Sequence, residues 1–420
     1  MLGVNTPALP ASLRRTNQRT VVSLLWRLGC ASRADLAKAG GISQPTAGKI
    51  ISELLHHGIL SEVGSGHDSP TRAGGRPPQN GGAPRLGRPG QMLRLDNRRT
   101  RFLAVELGVT DTSLSALPVG VELRDQWARR FPTPSSPEAW KREFARVASE
   151  LVTGPLWGIL ISVPGIVDET QGKVLFSPNL HWLERTSLPE LAGAQLKAPV
   201  LLVQEIRALA LGHLSADPEG DDFFLVDFGQ GVGGAMVIDG QLYSHPTPLS
   251  GEFGHTPVAN NLRRCGCGAV GCLETLVSER GLLESFSRAH GRPVQSMDQL
   301  MGEIAARGME PWLLDTLNAT AQVISGALNV LGLHRVVVTG LLTQLPAFAF
   351  DHLADQIQRG AMWARFGQVT CQSAPRRRAA GLVAVGLDRL VFPDGENSRR
   401  GVAALQRARR PKKRLAKKTA

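Results

Sequence analysis

Nowhere in its 420 residues does the chain run apolar for the roughly 18 residues that a membrane-spanning helix needs. The longest uncharged stretches, such as Thr316–Leu333, carry Asn, Gln, Ser and Gly throughout. The first residues, MLGVNTPALPASLRR, lack the apolar core of a secretory leader, so the expected location is cytoplasmic, with no membrane partner. Aromatic residues are only 5% of the chain. Cysteine is scarce, and its count of five is odd. In a reducing compartment that argues against disulfides, and clustered cysteines are then best read as metal ligands. The last 22 residues, 399–420, contain ten Lys/Arg and no acid.

What is present divides the chain. At about 150 residues per domain, the length predicts two or three. Residues 1–95 carry 12 Lys/Arg against 4 Asp/Glu, and with a total of +12 the middle, 96–398, is left at −6. An acidic body with a basic head and tail predicts a polyanionic partner at the ends only.

The basic head reads as three helices. Val21, Val22, Leu24, Leu25 and Leu28 form an apolar stripe with Asn17 as N-cap. Ser32 caps a short second helix, with Asp35 completing a capping box. Gly40–Gly41 turns the chain, and Ser43 caps a third helix with Pro45 in its first turn. Ile50, Ile51, Leu54 and Leu55 point inward. Ser43, Gln44, Thr46, Ala47 and Lys49 stand at the end where a recognition helix meets base edges in the major groove. GILSEVGSG then reads as a strand entering a wing. In the Gly/Pro-rich segment that follows, Arg76 and Arg88 are slim enough in context for a narrow minor groove. These features predict a winged helix-turn-helix that binds operator DNA.

From Met92 the pattern becomes strand, loop and helix, which implies α/β layers. RFLAVELGVTDTSLSAL reads as one strand, and glycine turns follow a first strand twice, in ELGVT and in DFGQGVGG. Two such halves around a cleft are the plan of the actin-like ATPase fold. The sharpest chemical signal is GEFGHTPVANNLRRCGCGAVGCLE. His255, Cys265, Cys267 and Cys272 supply one imidazole and three thiolates, a set suited to tetrahedral zinc with no open position, hence a structural site. Cys30 and Cys371 stand alone and read as packed small hydrophobes.

The same string, together with DFGQGVGGAMVIDG, VPGIVD and SPNLHW, resembles the ROK family (repressors, open reading frames and sugar kinases). The N-terminal head with its GRP-containing wing resembles the repressor branch. The resemblance runs from about Thr16 to about Leu390. It implies a two-lobed actin-like ATPase (ribonuclease H-like) α/β sensor preceded by an all-α/winged helix-turn-helix domain. The expected boundaries are 12–70 for the DNA-binding domain, 71–91 for a Gly/Pro/Arg-rich linker, 92–390 for the ROK sugar sensor and 393–420 for a basic disordered tail, the linker and tail being outside the family's common pattern. It also implies a monosaccharide effector, a homodimer or homotetramer, and zinc on His255, Cys265, Cys267 and Cys272. Glu252, His255 and Glu274 match positions that hold sugar hydroxyls, with Gly165 bordering the sugar and Gln204 and Glu205 lining it.

Compared with the family's kinases, the chain departs where phosphoryl transfer is done. The Asn-Asp pair that holds the catalytic base is Gln204-Glu205, each one methylene longer, and a misplacement of about 1 Å can cost on the order of 10²-fold. The first phosphate loop reads Glu106-Leu107-Gly108-Val109-Thr110 in place of Asp-x-Gly-Gly-Thr. Gln230 replaces a hydroxyl residue in the second, and Thr339-Gly340-Leu341-Leu342 lacks the usual glycines. ATP is therefore not expected as a cofactor, Glu205 is a degenerate base, and the predicted function is a sugar-responsive transcriptional regulator, a repressor by resemblance. The alternative is an active ROK kinase acting on a hexose or amino sugar.

Overall fold

The computed structural model describes residues 10–63, 91–121, 124–217, 222–244 and 249–392. Arg76, Arg88 and the basic tail lie outside the described residues. Among the described residues, no helix is long and apolar enough to cross a membrane.

The N-terminal unit comprises α1 (Pro10–Leu28), β1 (Ala31–Ser32), α2 (Arg33–Ala39), α3 (Gln44–His56), β2 (Leu60–Glu62) and β3 (Met92–Leu95). The Ser32 hydroxyl accepts from Asp35 N–H while the Asp35 carboxylate reaches back to Ser32, the expected capping box. Ser43 caps α3 by accepting from Thr46 N–H, with Pro45 in the first turn. Three expectations are corrected. Asn17 is not an N-cap, because α1 starts at Pro10; nothing between them breaks a helix, and proline suits a first turn. Leu28 is 52% exposed, since the helix ends there and Gly29 turns the chain away. Ala47 is buried in the head core, whereas Ser43, Gln44, Thr46 and Lys49 are exposed.

β3 pairs antiparallel with both β1 and β2, giving the order β1-β3-β2. The segment beginning at Met92, read as the start of the second unit, is thus the closing strand of the wing. Leu93 and Leu95 join Val21, Leu25, Leu36, Ile51 and Leu54 in one core. Each such side chain gains about 1.5–3 kcal/mol by leaving water.

Lobe I contains β4 (Phe102–Leu107), β5 (Asp111–Leu117), β6 (Ala128–Pro132), α4 (Pro137–Leu151), β7 (Gly158–Val163), β8 (Ile166–Asp168), β9 (Lys173–Phe176), α5 (Leu188–Leu196), β10 (Val200–Gln204) and α6 (Glu205–Ala216). The run read as one strand is two, since the chain reverses between Leu107 and Asp111 and Phe102 pairs with Leu117. A backbone N–H from Gly108 to the Asp111 carbonyl closes that turn at 2.9 Å. Lobe II contains β11 (Phe223–Phe228), β12 (Val232–Ile238), β13 (Gln241–Leu242), α7 (Glu274–Val277), α8 (Glu279–His290), α9 (Met297–Arg307), α10 (Pro311–Leu331), β14 (Arg335–Gly340), α11 (Ala347–Gly360) and β15 (Thr370–Ser373). Finally α12 (Arg378–Gly386) runs into a π-helical turn, Leu387–Val391, and packs against α6, β4 and β7.

The sheets run β10-β7-β4-β5-β6 and β13-β12-β11-β14-β15. In each, three consecutive strands form an antiparallel meander and two more add in parallel beside the first. One topology is used twice, the two-lobed α/β architecture expected of the sequence. The fully buried central strands, such as Gly158–Val163 and Phe223–Phe228, are mostly apolar, as expected of strands covered on both faces, with Ser162 and Asp227 the polar exceptions near their carboxyl ends. Ligands of such sheets bind beyond the carboxyl ends of the strands. Here those ends carry Glu106, Gln204, Asp227 and Gly340.

Candidate functional site

Four strand ends and the loop after β13 converge on two adjoining polar clusters. The first is built on Gln204, Glu252, His255, Glu274 and the cysteines. Gln204 ends β10 and is buried; its amide Nε2 donates to Glu252 Oε1 at 3.3 Å. The other Glu252 oxygen lies 3.5 Å from His255 Nε2. Burial raises the Glu252 carboxyl above its ordinary range, and Glu274 adds to the rise, opposed by His255 and Gln204. Glu274, in the first turn of α7, accepts from Val232 N–H at 3.0 Å, and its second oxygen stands 3.7 Å from Cys265 Sγ.

The opposite edge of His255, Nδ1, is 3.6 Å from Cys265 Sγ, and Cys267 Sγ is 3.7 Å from Cys272 Sγ. All four ligand atoms lie within 4.8 Å of one another. A tetrahedral ion bound at about 2.3 Å to sulfur and about 2.0–2.1 Å to nitrogen spaces two sulfurs about 3.8 Å apart and a sulfur–nitrogen pair about 3.6 Å apart. The donor set and spacing therefore suit a metal ion. Without a cation, burial pushes the Cys265 thiol up to about 12. Local hydrogen bonds explain why the chain folds this way. Cys265 N–H donates to Ala269 O, Asn261 Nδ2 donates to Cys272 O, and Arg263 reaches Thr275 O, Gly281 O and the Ser285 hydroxyl.

The second cluster holds the remaining carboxylates, and each faces a guanidinium. Arg376 donates from Nε and Nη2 to the two oxygens of Asp227 at 2.7 and 2.9 Å, and from Nη2 to Phe228 O at 2.9 Å. Thr339 hydroxyl donates to the same Asp227 at 2.6 Å. The Arg376 head lies against two loop glycines. A Cβ on Gly229 or Gly340 would approach its Nη2 to 2.5 or 2.6 Å. Arg378, at the start of α12, is paired with Glu205 and lies 3.4 Å from Glu106. Burial works against its charge, but Glu205, Glu106 and Asp227 outweigh that and raise its pKa. Gln230 of lobe II reaches the Thr110 hydroxyl of lobe I at 3.4 Å, so the loops after β4 and β11 touch.

The sequence-predicted residues thus separate. Gln204, Glu252, His255, Glu274 and the three cysteines come together. Glu205, expected with them, instead joins Arg378 and Glu106, because α6 begins on the side of the strand end that α12 approaches. Gly165 is accounted for without a ligand, having φ +96° and no room for a side chain beside the Phe176 carbonyl. Ser43, Gln44, Thr46 and Lys49 stand exposed on the head, far in sequence from the cleft. Arg376 and Arg378 were missed. Their signal was three arginines placed directly before an apolar helix in an otherwise acidic body. Glu169, one-tenth exposed and held by Arg207, Arg389 and Gln204 N–H, had no sequence signal.

Comparison with known proteins gives a coherent picture. A xylose repressor of Bacillus subtilis (strain 168) is 25% identical over 374 residues, covering 82% of this chain and 90% of the repressor. An N-acetyl-D-glucosamine kinase of Shigella sonnei (strain Ss046) is 28% identical but covers only 61% of this chain, and 89% of the kinase. The crystal structure of a ROK family transcriptional regulator, described as a homologue of the E. coli MLC protein, superposes with a TM-score of 0.68 at 19% identity, over 94% of this chain and 99% of that one. Residues 102–384 match the model of the ROK family, and with two thirds of its length so matched the chain belongs to the ROK family.

Proposed function

We propose that the protein is a sugar-responsive DNA-binding transcriptional repressor whose cleft takes a monosaccharide and has lost the means to phosphorylate it. The observation that carries the second half is the seating of Arg376 against Gly229, Gly340 and Asp227. A guanidinium there takes the place and the charge complement that a metal-bound triphosphate would need. Arg378 does the same for Glu205, a carboxylate whose base role would require it free to accept a hydroxyl proton. The first half is supported by a xylose repressor match that covers 82% of this chain, against 61% for the kinase match.

In this reading Gln204, Glu252 and His255 bind sugar hydroxyls. A carboxylate offers acceptors to neighbouring hydroxyls and the amide and imidazole add donors. His255, Cys265, Cys267 and Cys272 hold zinc, which fixes the loop carrying Glu252 and His255 and supplies no reaction step. The head spans roughly residues 12–70 together with β3, and the sensor runs on to residue 390. Gln44, Thr46 and Lys49 read an operator from a homodimer or homotetramer, whose symmetry a palindromic site would match. Sugar binding moves lobe I against lobe II and changes the placement of the heads, a coupling of about 1–3 kcal/mol being sufficient.

The experiment pairs two assays on the full chain. Operator fragments selected from random DNA should bind, should bind less tightly with xylose, glucose or N-acetylglucosamine, and should lose about one unit of salt slope in Lys49→Ala. The same sugars with Mg-ATP should yield no phosphorylated product. Turnover at ordinary kinase rates, on the order of 1–100 per second, would establish the kinase alternative instead.

A further inference from the structure

One carboxylate touches both the cleft wall and the segment on which the head rests. Glu169 follows β8 and is nearly buried. Its Oε1 accepts from Gln204 N–H and from Arg207 Nε, each at 3.0 Å. Its Oε2 takes Arg389 Nη2 at 2.5 Å. Gln204 is the residue whose amide holds Glu252, and Glu252 faces His255.

The other end leads to the head. Arg389 lies in the π-helical turn Leu387–Val391 that prolongs α12. Its neighbour Asp388 pairs with Arg19 of α1 at 2.7 Å, and Arg19 also donates to Phe392 O at 3.1 Å. Leu387, Val391 and Phe392 are buried in the same apolar cluster as Val21, Leu24 and Leu25. The Arg19–Asp388 pair is half exposed and contributes little by itself. The apolar residues hold the head, and Arg389 sets where the turn carrying them sits. A π turn is a locally costly geometry that commonly marks a functional position.

We propose that Glu169 is a positioning residue that couples the sugar-facing wall of the cleft to the DNA-binding head through Arg389. This rests on the reading of the protein as a sugar-responsive regulator. A hydroxyl ligand that draws the Gln204 amide off Glu252 displaces the backbone N–H that Glu169 holds. Glu169 is too enclosed to keep both partners, so the displacement reaches Arg389 and the turn beneath α1. A separate contact, Trp26 Nε1 to Val119 O at 3.2 Å, ties the head to lobe I without passing through the cleft. Loss of Glu169 or Arg389 should therefore uncouple the head rather than undock it.

The test uses the full chain with D-xylose, D-glucose and N-acetyl-D-glucosamine as probes. DNA affinity is measured with and without each sugar, and sugar affinity by calorimetry, for wild type, Glu169→Gln, Arg389→Met and the double variant. The ratio of DNA affinities without and with sugar should fall at least about fivefold in each single variant and no further in the double, since coupling of this kind spans about 5–150-fold. Sugar affinity and sugar-free DNA affinity should stay within about twofold, the difference expected of a route rather than of a binding contact. If Glu169→Gln does not fold, Arg389→Met, altered at a more exposed side chain, decides. A wild-type ratio in folded Arg389→Met, or additive losses in the double variant, overturns the coupling role alone. A wild type whose DNA affinity answers to none of the three sugars overturns the regulator reading and this inference with it.

Discussion

Asp227 and Glu252 are lobe II carboxylates in the two adjoining polar clusters, and their surroundings are opposite. Asp227 receives two N–H groups from Arg376 and a hydroxyl from Thr339. Glu252 receives one long amide hydrogen bond and faces an imidazole at 3.5 Å. The half of the cleft around Asp227, Glu106 and Glu205 has its charge answered from within the chain. The half around Glu252 has acceptors left to offer, and burial without a full counter-charge raises its carboxyl pKa. On the proposed reading, the side with acceptors left is the sugar side, and the side with internal cations is the one a triphosphate would need.

The largest effect that would sharpen the comparison is removal of the thiols that would hold a metal ion beside Glu252. Cys265→Ser with Cys267→Ser should abolish the zinc measured by elemental analysis of the purified protein. It should also lower the melting temperature by roughly 10 °C or more, because the binding energy of a structural ion is folding energy. Zinc content unchanged in that variant would place the ion elsewhere.

Next comes the cationic half. Arg378→Met should destabilise the fold by about 3–5 kcal/mol in denaturant titration, since it strands Glu205 and Glu106 without their partner. Adding Glu205→Gln should recover part of that loss. Full additivity of the two changes would show that Glu205 and Arg378 do not act as a pair in solution.

The hydroxyl half is probed by Glu252→Gln, which keeps the shape and removes the charge. Sugar affinity should fall about tenfold or more, in line with about 1.5–3 kcal/mol for hydrogen bonds to a charged group. DNA affinity without sugar should be unchanged. An equal loss in Glu205→Gln would erase the distinction between the two halves.

The smallest effect concerns α6, which begins with Glu205 and carries the buried His213 near its end. Burial holds the His213 imidazole below its ordinary 6.5, with Arg335 and Arg377 assisting and Asp217 opposing. The native state prefers the neutral ring, so this contribution is complete above pH 6.5 and is lost as pH falls through the depressed native value. Melting curves should show a loss on acidification below pH 6.5 that is shallower in His213→Leu. An identical pH profile in the variant would remove the imidazole as its source.

Legibility in the sequence followed distance along the chain. Ser32 with Asp35, Ser43 with Thr46, and the cysteine cluster all act within 18 residues, so spacing alone exposed them. The repeat of glycine turns after ELG and DFG marked the two lobes. The glycine turn in ELGVT is the reversal between Leu107 and Asp111, yet it hides in a strand-like run because Val109 and Thr110 are good strand formers and the turn is closed by a backbone bond. The wing's third strand reads in sequence as part of the second unit because its partners lie some 30 and 60 residues away, across the segment 64–90. Arg376 meets Asp227 across 149 residues and Arg378 meets Glu205 across 173. No local pattern announces such pairs.

The most direct measurement is a crystal structure of the full chain grown with D-xylose and a non-hydrolysable Mg-ATP analogue, both in excess. The account predicts sugar density bounded by Gln204, Glu252 and His255, with Arg376 still on Asp227 and Arg378 still on Glu205. A triphosphate lying between Gly229 and Gly340, with both arginines swung out and its terminal phosphate facing a freed Glu205, would contradict it.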